Sequence, residues 1–186
     1  LFYQLEAKNK CEVWQVNLSM DIKTRPHKKI LTCKSNQLMS ATSFDQGKKL
    51  IYTKYNYRNT PHLSAIVAKD LTSGSEFQVT SPNNADRGDY FVKVSNNESK
   101  IAFLRAQKTG TQIFIANVDG SDQSKEVEIQ YDINSISWSL NDNEIMWLNS
   151  KENKIITFSE YSWDPLFILK EDNSIGLIVD YMKIVE

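Results

Sequence analysis

A ten-residue pattern that occurs three times is the feature that most limits how this chain can fold. Ser43–Tyr52, Val94–Phe103 and Trp138–Trp147 align without gaps. Each copy has a polar centre typical of a tight turn, then a charged residue, then three apolar residues ending in an aromatic. Leu1–Tyr3 matches the end of a fourth copy, and the aromatic ends are spaced by 49, 51 and 44 residues. The chain is therefore built from about four similar units.

Two further blocks follow the ten-residue pattern within each unit. Glu12–Asn17 matches Gln112–Asn117, and it matches Ser64–Lys69 and Lys154–Ser159 more weakly. A third block closes the units, at Lys29–Thr32, Phe77–Thr80, Val127–Gln130 and Leu166–Leu169. Together with the run before each polar turn, every complete unit offers four short apolar runs separated by turn residues.

These runs have the composition of β-strands and not of helices. They are rich in Val, Ile, Phe, Tyr and Trp, and no 3.6-residue apolar period persists along them. Four strands in each 40–50-residue repeat are typical of a β-propeller blade. We therefore predict an all-β protein, a partial or small β-propeller of four-stranded antiparallel blades. A β-sandwich of irregular hairpins is the alternative, which the gap-free repeat disfavours.

The predicted organisation is one domain over residues 1–186. Its blades would cover about 1–33, 37–80, 88–130 and 133–170, with a tail strand at 174–184. The first blade lacks its opening strand, and a tail strand that completes it would close a ring of four blades. The alternative is an arc of a larger ring, whose open blade edges would favour a homo-oligomer.

The repeat resembles the TolB-type, WD40-like (PD40) β-propeller repeats. Trp138–Trp147 follows that family's first block, Ala116–Gly120 its second hairpin, and Leu31–Thr32 and Val79–Thr80 its closing block. The glycine of the family's first turn is present only as Gly47, so the turns should differ in type among copies. The resemblance covers nearly the whole chain, but these motifs specify architecture and not activity.

The resemblance implies a recognition or gating role. Such repeats form the periplasmic protein TolB, the gating propeller of prolyl-oligopeptidase-like peptidases, and the sensory region of membrane-anchored winged-helix regulators similar to CadC. In these proteins any chemistry lies in another domain. We therefore expect a non-catalytic sensory or binding module in the periplasm, most similar to the CadC-like regulators; the gating propeller and a free docking scaffold are the alternatives.

Charge and hydropathy exclude two other classes of function for this segment. The formal net charge is -1, and no long basic cluster is present, so direct binding to nucleic acid is not expected. No apolar run approaches the ~20 residues of a membrane span. Because the chain begins at Leu1 and not at Met, we expect a piece of a longer protein. Membrane association would then come only from an upstream segment.

No catalytic motif is present in the sequence. The chain has two histidines, and it lacks the nucleophile-elbow, zinc-protease and phosphate-loop patterns. We predict no enzymatic activity, no metal site and no cofactor. Acidic residues lie mostly in turns, where we expect their side chains to cap the local backbone; they are Asp45, Asp119, Asp142 and Glu152.

Two long loops that do not repeat are the best candidates for a binding site. One follows Tyr55 within the second blade, and the other, Ser81–Tyr90, links the second and third blades. Tyrosine and arginine are favoured at recognition hot spots, and loops on a rigid scaffold commonly bind ligands. The candidate residues for a protein partner or a small-molecule signal are Tyr55, Tyr57, Arg58, His62, Arg87 and Tyr90. Solvated hairpin loops are the alternative, and the Arg87-Gly88-Asp89 tripeptide is assigned no adhesive role.

The two cysteines, Cys11 and Cys33, lie on either side of a predicted hairpin centred near residue 22. They would stand opposite each other on neighbouring strands, so a disulfide is geometrically possible. A disulfide would fit an oxidising compartment such as the periplasm. Two buried free thiols are the alternative.

Overall fold

The regular structure in a computed structural model of the chain consists of β-strands. The described residues are 1–7, 10–21, 23–34, 37, 39–56, 63–83, 87–108, 110–129, 133, 135–149, 154–159 and 162–168. None of these residues lies in a helix, so this part of the chain offers no helix that could cross a membrane. The predicted all-β class is confirmed.

Within these described ranges, fifteen strands form four antiparallel meander sheets, here called blades 1 to 4 in chain order. Blade 1 has three strands: β1 (Phe2–Ala7), β2 (Lys10–Val16) and β3 (His27–Cys33). Blade 2 has β4 (Thr42–Phe44), β5 (Lys49–Tyr55), β6 (Ser64–Asp70) and β7 (Glu76–Gln78). Blade 3 has β8 (Gly88–Val94), β9 (Lys100–Ala106), β10 (Thr111–Asn117) and β11 (Ser124–Ile129). Blade 4 has β12 (Ile136–Trp138), β13 (Glu144–Asn149), β14 (Lys154–Ser159) and β15 (Ser162–Ile168). The predicted tail strand at 174–184 lies outside the described residues.

Strand β9 is apolar on both faces because blade 3 has a neighbour on either side. In β9, Ile101 and Phe103 face blade 2, and Ala102 and Leu104 face blade 4. All four side chains are buried. Successive side chains in a strand point to opposite faces, so an unbroken apolar run is what a doubly covered strand requires.

Three apolar clusters hold the four blades together. The first joins blade 1 to blade 2 around Val13, Leu50 and Tyr52. The second joins blade 2 to blade 3 around Ile51, Ile66 and Phe103. The third joins blade 3 to blade 4 and is the largest. Its buried members are Phe91, Ala102, Leu104, Ile113, Val127, Ile129, Ile133, Ile136, Trp138, Ile145 and Trp147.

The aromatic residue that ends each copy of the pattern fills the interface with the preceding blade. Tyr52, Phe103 and Trp147 are at most 2% exposed, and they lie in the first, second and third cluster respectively. Phe103 also stacks on Phe114 of the neighbouring strand, with ring centroids 5.5 Å apart. The repeat is therefore a repeat of inter-blade contacts.

The strand register corrects one alignment made from the sequence. Tyr52 pairs with Val67, and Phe103 pairs with Phe114. Gln112–Asn117 is therefore equivalent to Ala65–Asp70, one residue later than the predicted Ser64–Lys69. A slip of one residue exchanges the two faces of a strand. The sequence could not reveal the slip, because β6 is apolar on both faces.

The repeated turn has a common backbone feature. Gly47, Glu98 and Asp142 occupy equivalent positions, and all three have positive φ, at 80°, 59° and 59°. Glycine is therefore not needed at this position. Blade 2 still differs, because Asp45 and Gln46 also have positive φ. The turns thus share their last left-handed residue but not their full geometry.

The acidic residues of these turns also connect neighbouring blades. The Asp142 carboxylate accepts hydrogen bonds from the backbone N–H groups of Asn96 and Asn97 in blade 3, at 2.7 and 2.9 Å. Glu98 in turn accepts one from the backbone N–H of Gln46 in blade 2, at 3.2 Å. The prediction that acidic residues cap their own turns holds for Asp119, which accepts from Ser121. For Asp142 it was wrong, because the capped turn belongs to the adjacent blade.

Cys11 and Cys33 are opposite each other on β2 and β3. They are joined by a disulfide, and their Cα atoms are 4.7 Å apart. This separation lies within the usual range for disulfides. Cys11 is fully buried and lies near the Gln4 side chain, so the bridge ties the outer strand of blade 1 to its centre.

Replacing Phe103 with alanine should lower the free energy of unfolding by about 3–5 kcal/mol, because it removes a buried ring from the interface between blades 2 and 3. Urea unfolding followed by tryptophan fluorescence would measure the change. Leu140→Ala is the control, since this side chain is 53% exposed and should cost less than about 0.5 kcal/mol. Equal effects of the two substitutions would contradict the assigned packing.

Oxidised protein should have a mass two hydrogens lower than reduced protein, because of the Cys11–Cys33 bridge. Reduction should lower the free energy of unfolding by about 2–4 kcal/mol. The Cys11→Ala/Cys33→Ala double variant should be insensitive to reductant. Identical masses of the wild-type chain with and without reductant would rule the bridge out.

Candidate functional site

Two of the predicted binding residues lie at one edge of the blades. Strand direction alternates in a meander, so the end of β5 and the start of β6 lie on the same edge as the link from β7 to β8. We call this edge the loop edge, and the edge with the repeated turns the turn edge. Tyr55 and Arg87 lie on the loop edge. Tyr57, Arg58 and His62 lie outside the described residues.

A close backbone contact brings the described ends of the two long loops together. Gly88 has a φ of 113°, and a Cβ atom at this position would clash with the backbone of Ser64. Only glycine permits this approach between the start of β8 and the start of β6. Arg87, whose side chain is exposed, is therefore held next to the end of the loop that follows Tyr55. Its own N–H donates to the carbonyl of Ala106 at 2.9 Å.

Tyr90 lies at the interface between blades 3 and 4. Its ring is partly buried against the cluster between blades 3 and 4. Its hydroxyl donates to the carbonyl oxygen of Ile133 at 3.2 Å and lies 3.3 Å from the Thr111 hydroxyl. These contacts hold the link between blades 3 and 4 in place. Tyr90 therefore contributes to packing in this structure.

The Arg87-Gly88-Asp89 tripeptide is not displayed at the surface as a unit. Asp89 is fully buried and accepts two hydrogen bonds from Arg105, at 2.6 and 3.0 Å. The guanidinium also lies over the ring of Phe114, 4.3 Å from its centroid. The ion pair between Asp89 and Arg105, together with the contact of the guanidinium with the Phe114 ring, compensates for the burial of both charges. This geometry agrees with the absence of an adhesive role.

A cleft of about 380 Å³ lies between blades 1 and 2 and includes Tyr55. Its walls combine the end of β3, the link to blade 2, and the blade 2 strands β5 and β7. The lining residues are Leu31, Thr32, Cys33, Lys34, Gln37, Met39, Tyr52, Lys54, Tyr55, Asn56 and Glu76. Its volume falls within the range of small-ligand sites.

Glu76 is the centre of a polar network in this cleft. Its carboxylate accepts a hydrogen bond from the Tyr52 hydroxyl at 2.5 Å and pairs with the Lys54 ammonium at 2.6 Å. Lys69 lies 4.0 Å away on the adjacent strand. Sequence reasoning missed this group because the three partners of Glu76 come from two different strands.

The network shifts the pKa of both acids in it. Burial is the main cause that raises the pKa of Tyr52, and the hydrogen bond to Glu76 and its negative charge add to this effect. For Glu76, burial acts to raise the pKa, but hydrogen bonds from Lys54 and Tyr52 and the charges of Lys54 and Lys69 outweigh it and lower the pKa. At neutral pH the site therefore holds a neutral phenol and a paired carboxylate.

This arrangement favours binding over proton transfer. A general base needs a pKa near the working pH, whereas the pKa of Glu76 is lowered and both of its oxygens already accept. The cleft can instead offer Asn56, Gln37 and Lys54 as polar partners beside the Tyr55 ring. Within the described ranges, no three His, Cys, Asp or Glu residues are arranged to hold a metal ion.

A second cleft, of about 830 Å³, lies between blades 3 and 4 and borders the repeated turn. It contains none of the predicted binding residues. Its lining residues are Lys100, Ile115, Ala116, Asn117, Asp122, Ser124, Glu126, Trp138, Asn141, Asp142, Asn143, Glu144 and Ile145. The sequence analysis treated Asn141–Asn143 only as turn residues.

The comparisons with known proteins concern the fold. No protein-family model and no curated protein sequence matches the chain. Among solved structures, TolB from Acinetobacter baumannii is similar with a TM-score of 0.65 and 18% identity, over 85% of this chain and 37% of that chain. The nidogen/laminin complex is similar with a TM-score of 0.61 and 16% identity, over 90% and 60% respectively.

A third similar structure is that of an oligogalacturonate lyase in complex with manganese. Its TM-score is 0.63 and its identity 10%, over 90% of this chain and 44% of that chain. The chain thus spans between about a third and three-fifths of these neighbours. At such identities the likeness establishes the fold alone, which is a β-propeller of the kind that TolB has.

Replacing Glu76 with glutamine should lower the free energy of unfolding at pH 7 by about 1 kcal/mol, a modest value because the carboxylate is about a third exposed. Since folding lowers the pKa of Glu76, its stabilisation is complete above the ordinary value of 4.5. It is lost as the pH falls through the lower folded-state pKa. Urea unfolding from pH 7 to pH 3 should therefore show the two proteins converging in acid.

Glu128→Gln is the matched control, because this carboxylate is 55% exposed and pairs with Lys125, which is also exposed. It should leave the pH profile of wild type nearly unchanged. A Glu76→Gln protein that differs from wild type by the same amount at every pH would show that the charged network does not contribute.

Proposed function

We propose that this chain is a non-catalytic binding propeller that docks a protein partner or a small-molecule signal at the loop edge. The site would consist of the cleft between blades 1 and 2 and the adjoining surface around Tyr55 and Arg87. The observation that supports this most is the contact of Gly88 with Ser64. It brings together Ser64 and Gly88, at the described ends of the two loops that do not repeat.

The chemistry of this surface favours recognition. The three apolar clusters keep the strand ends rigid, and a rigid frame reduces the entropy lost on binding. The Tyr55 ring and the exposed Arg87 are side chains with which interfaces commonly anchor a partner. Tyr57, Arg58 and His62, which belong to the same loop in the sequence, are part of the proposed site.

A non-catalytic role is supported by the pairing of two acidic side chains. Asp89 is paired with Arg105, and Glu76 is paired with Lys54 and Tyr52. Neither carboxylate is placed to take up a proton from a substrate. The gating propeller of a prolyl-oligopeptidase-like peptidase is the alternative in which an enzyme is involved, and there too the chemistry would lie in another domain.

We further propose that the module works outside the cytoplasm as the sensory part of a CadC-like regulator. Two observations support this assignment: the Cys11–Cys33 pairing, which needs oxidising conditions, and the repeat pattern of the sequence. A free TolB-like docking scaffold in the periplasm would share both features. The full gene distinguishes them, since an upstream winged helix and membrane span support the regulator and a downstream hydrolase domain supports the peptidase.

The Tyr55→Ala/Arg87→Ala double variant should capture its partner from an envelope extract at least about 10-fold less efficiently than wild type, as expected for the loss of two hot-spot side chains. Immobilised chain, quantitative mass spectrometry of the captured proteins and titration of the identified partner would measure this. Circular dichroism should show that the variant remains folded, because both residues lie at strand ends.

Leu140→Ser is the control, since Leu140 is exposed on the opposite, turn edge. It should leave capture unchanged. A partner whose capture falls with Leu140→Ser and not with the double variant would place the site at the turn edge and contradict the proposal.

A further inference from the structure

The two edges of the blades carry charge of opposite sign. In the described parts of the connections between strands, every charged residue on the loop edge is a cation: Lys34, Arg87 and Lys108. The described connections on the turn edge hold more acidic than basic residues. The acids are Asp21, Asp45, Glu98, Asp119, Asp122 and Asp142, and the bases are Lys23, Arg25 and Lys48. The formal net charge of -1 therefore conceals a separation of charge between the two edges.

The rest of the sequence between the same strands leaves the charge of the loop-edge connections unchanged. Outside the described residues, these connections contain as many acids as cations. The cations are Lys8, Arg58 and Lys151, and the acids are Asp86, Asp132 and Glu152. Their formal charges cancel, so the positive excess of these connections comes from the described residues.

The three loop-edge cations are available to a ligand. Their side chains are exposed, and none of them forms an ion pair with another described residue. The carboxylates of the site do not neutralise them. Glu76 is already paired with Lys54, and Asp89 is paired with Arg105. Among the described residues, the loop edge thus presents positive charge without an internal counterpart.

We propose that the loop-edge site binds an acidic segment of a partner protein. This inference rests on the proposed function, to which it adds the chemistry of the partner. Complementary charges across an interface accelerate association and disfavour partners of the wrong charge. A basic partner would instead be attracted to the acidic turn edge.

The positions of the cations favour an extended segment over a small anion. Lys34 lines the cleft between blades 1 and 2, Arg87 lies on the link between blades 2 and 3, and Lys108 lies on the connection between β9 and β10. Packed sheets are about 10 Å apart, so the cations extend over roughly 20 Å from blade 1 to blade 3. An extended chain advances about 3.3 Å per residue, and about six or seven residues cover this distance.

The cleft favours a protein segment over a nucleic acid. Leu31, Met39 and Tyr55 give the cleft apolar walls, which suit an aliphatic or aromatic side chain between acidic residues. Proteins that bind nucleic acid strongly contact about 6–10 phosphates, whereas the described connections of the loop edge offer three cations. The expected segment therefore has several acidic residues and one apolar side chain that enters the cleft.

A matched pair of synthetic peptides tests this inference. One is a fluorescent peptide of sequence Glu-Ser-Glu-Tyr-Glu-Ser-Glu, and the other has glutamine in place of every glutamate. Fluorescence anisotropy with the 186-residue chain at low salt should show at least about 10-fold tighter binding of the glutamate peptide, since each exposed ion pair contributes about 2- to 5-fold. Because salt screens exposed charges, the difference should shrink when the salt concentration is raised to about 0.5 M.

Charge reversal at two positions locates the effect. Lys34→Glu/Lys108→Glu should weaken binding of the glutamate peptide at least about 10-fold and leave the glutamine peptide nearly unaffected. Lys23→Glu/Lys48→Glu is the matched control, because these exposed lysines lie on the turn edge and the substitutions change the net charge equally. The control should keep the wild-type affinity for both peptides within about 2-fold, since distant exposed charges are screened. Circular dichroism should show that both variants are folded.

Three results would overturn the inference. The first is equal affinity of the wild-type chain for the two peptides. The second is an equal loss of binding in the two charge-reversal variants, which would reflect net charge and not a site. The third is tighter binding of a single-stranded oligothymidylate of the same charge than of the glutamate peptide, which would assign the loop edge to nucleic acid.

Capture from the envelope extract separates this inference from the proposed function. A partner whose capture falls with Tyr55→Ala/Arg87→Ala but not with Lys34→Glu/Lys108→Glu would leave the loop-edge site in place and contradict its preference for an acidic segment. A partner whose capture falls with neither double variant would contradict the proposed function as well.

Discussion

The packing of one β-sheet face on the next is the interaction on which the rest of this structure depends. A four-stranded meander with apolar side chains on both faces cannot be stable by itself in water, so each blade requires a neighbour on either side. The aromatic side chain that ends each copy of the repeated pattern provides this contact with the preceding blade. Tyr52, Phe103 and Trp147 are each buried against the preceding blade, and each is surrounded by aliphatic side chains from both sheets.

This packing also explains where the polar groups lie. The middle of each blade is filled largely with apolar side chains, and several hydrogen bonds that link blades lie at the edges. Asp142 reaches the turn of blade 3 from the turn edge, and Gln4 reaches the link to blade 2. The polar network of Glu76 lies at the margin of the interface between blades 1 and 2. A propeller of this type thus has its clefts between blades, where packing is incomplete.

The sequence anticipated the parts of the structure that depend on local patterns. It predicted the strands, their four groups and the position of the repeated turn. Apolar runs separated by turn residues can be recognised within about ten residues of sequence. It did not predict that Asp142 caps a neighbouring turn, or that Tyr90 packs against Ile133. Both contacts join residues more than 40 positions apart, and they depend on how two blades are placed. The one-residue slip at β6 also depends on contacts beyond the local sequence. A strand that is apolar on both faces carries no information about its register.

The sequence by itself determined the fold class, because the repeat requires units that stack and supplies each of them with its own strands and turns. It also directed the search for a binding site to the loops that do not repeat. Only the tertiary structure decided which of those residues come together. Gly88 lies against Ser64 and joins the described ends of two loops, and Tyr90 packs against Ile133. These outcomes arise from contacts between blades, and contacts between segments distant in the chain have no local signature that a sequence pattern could show.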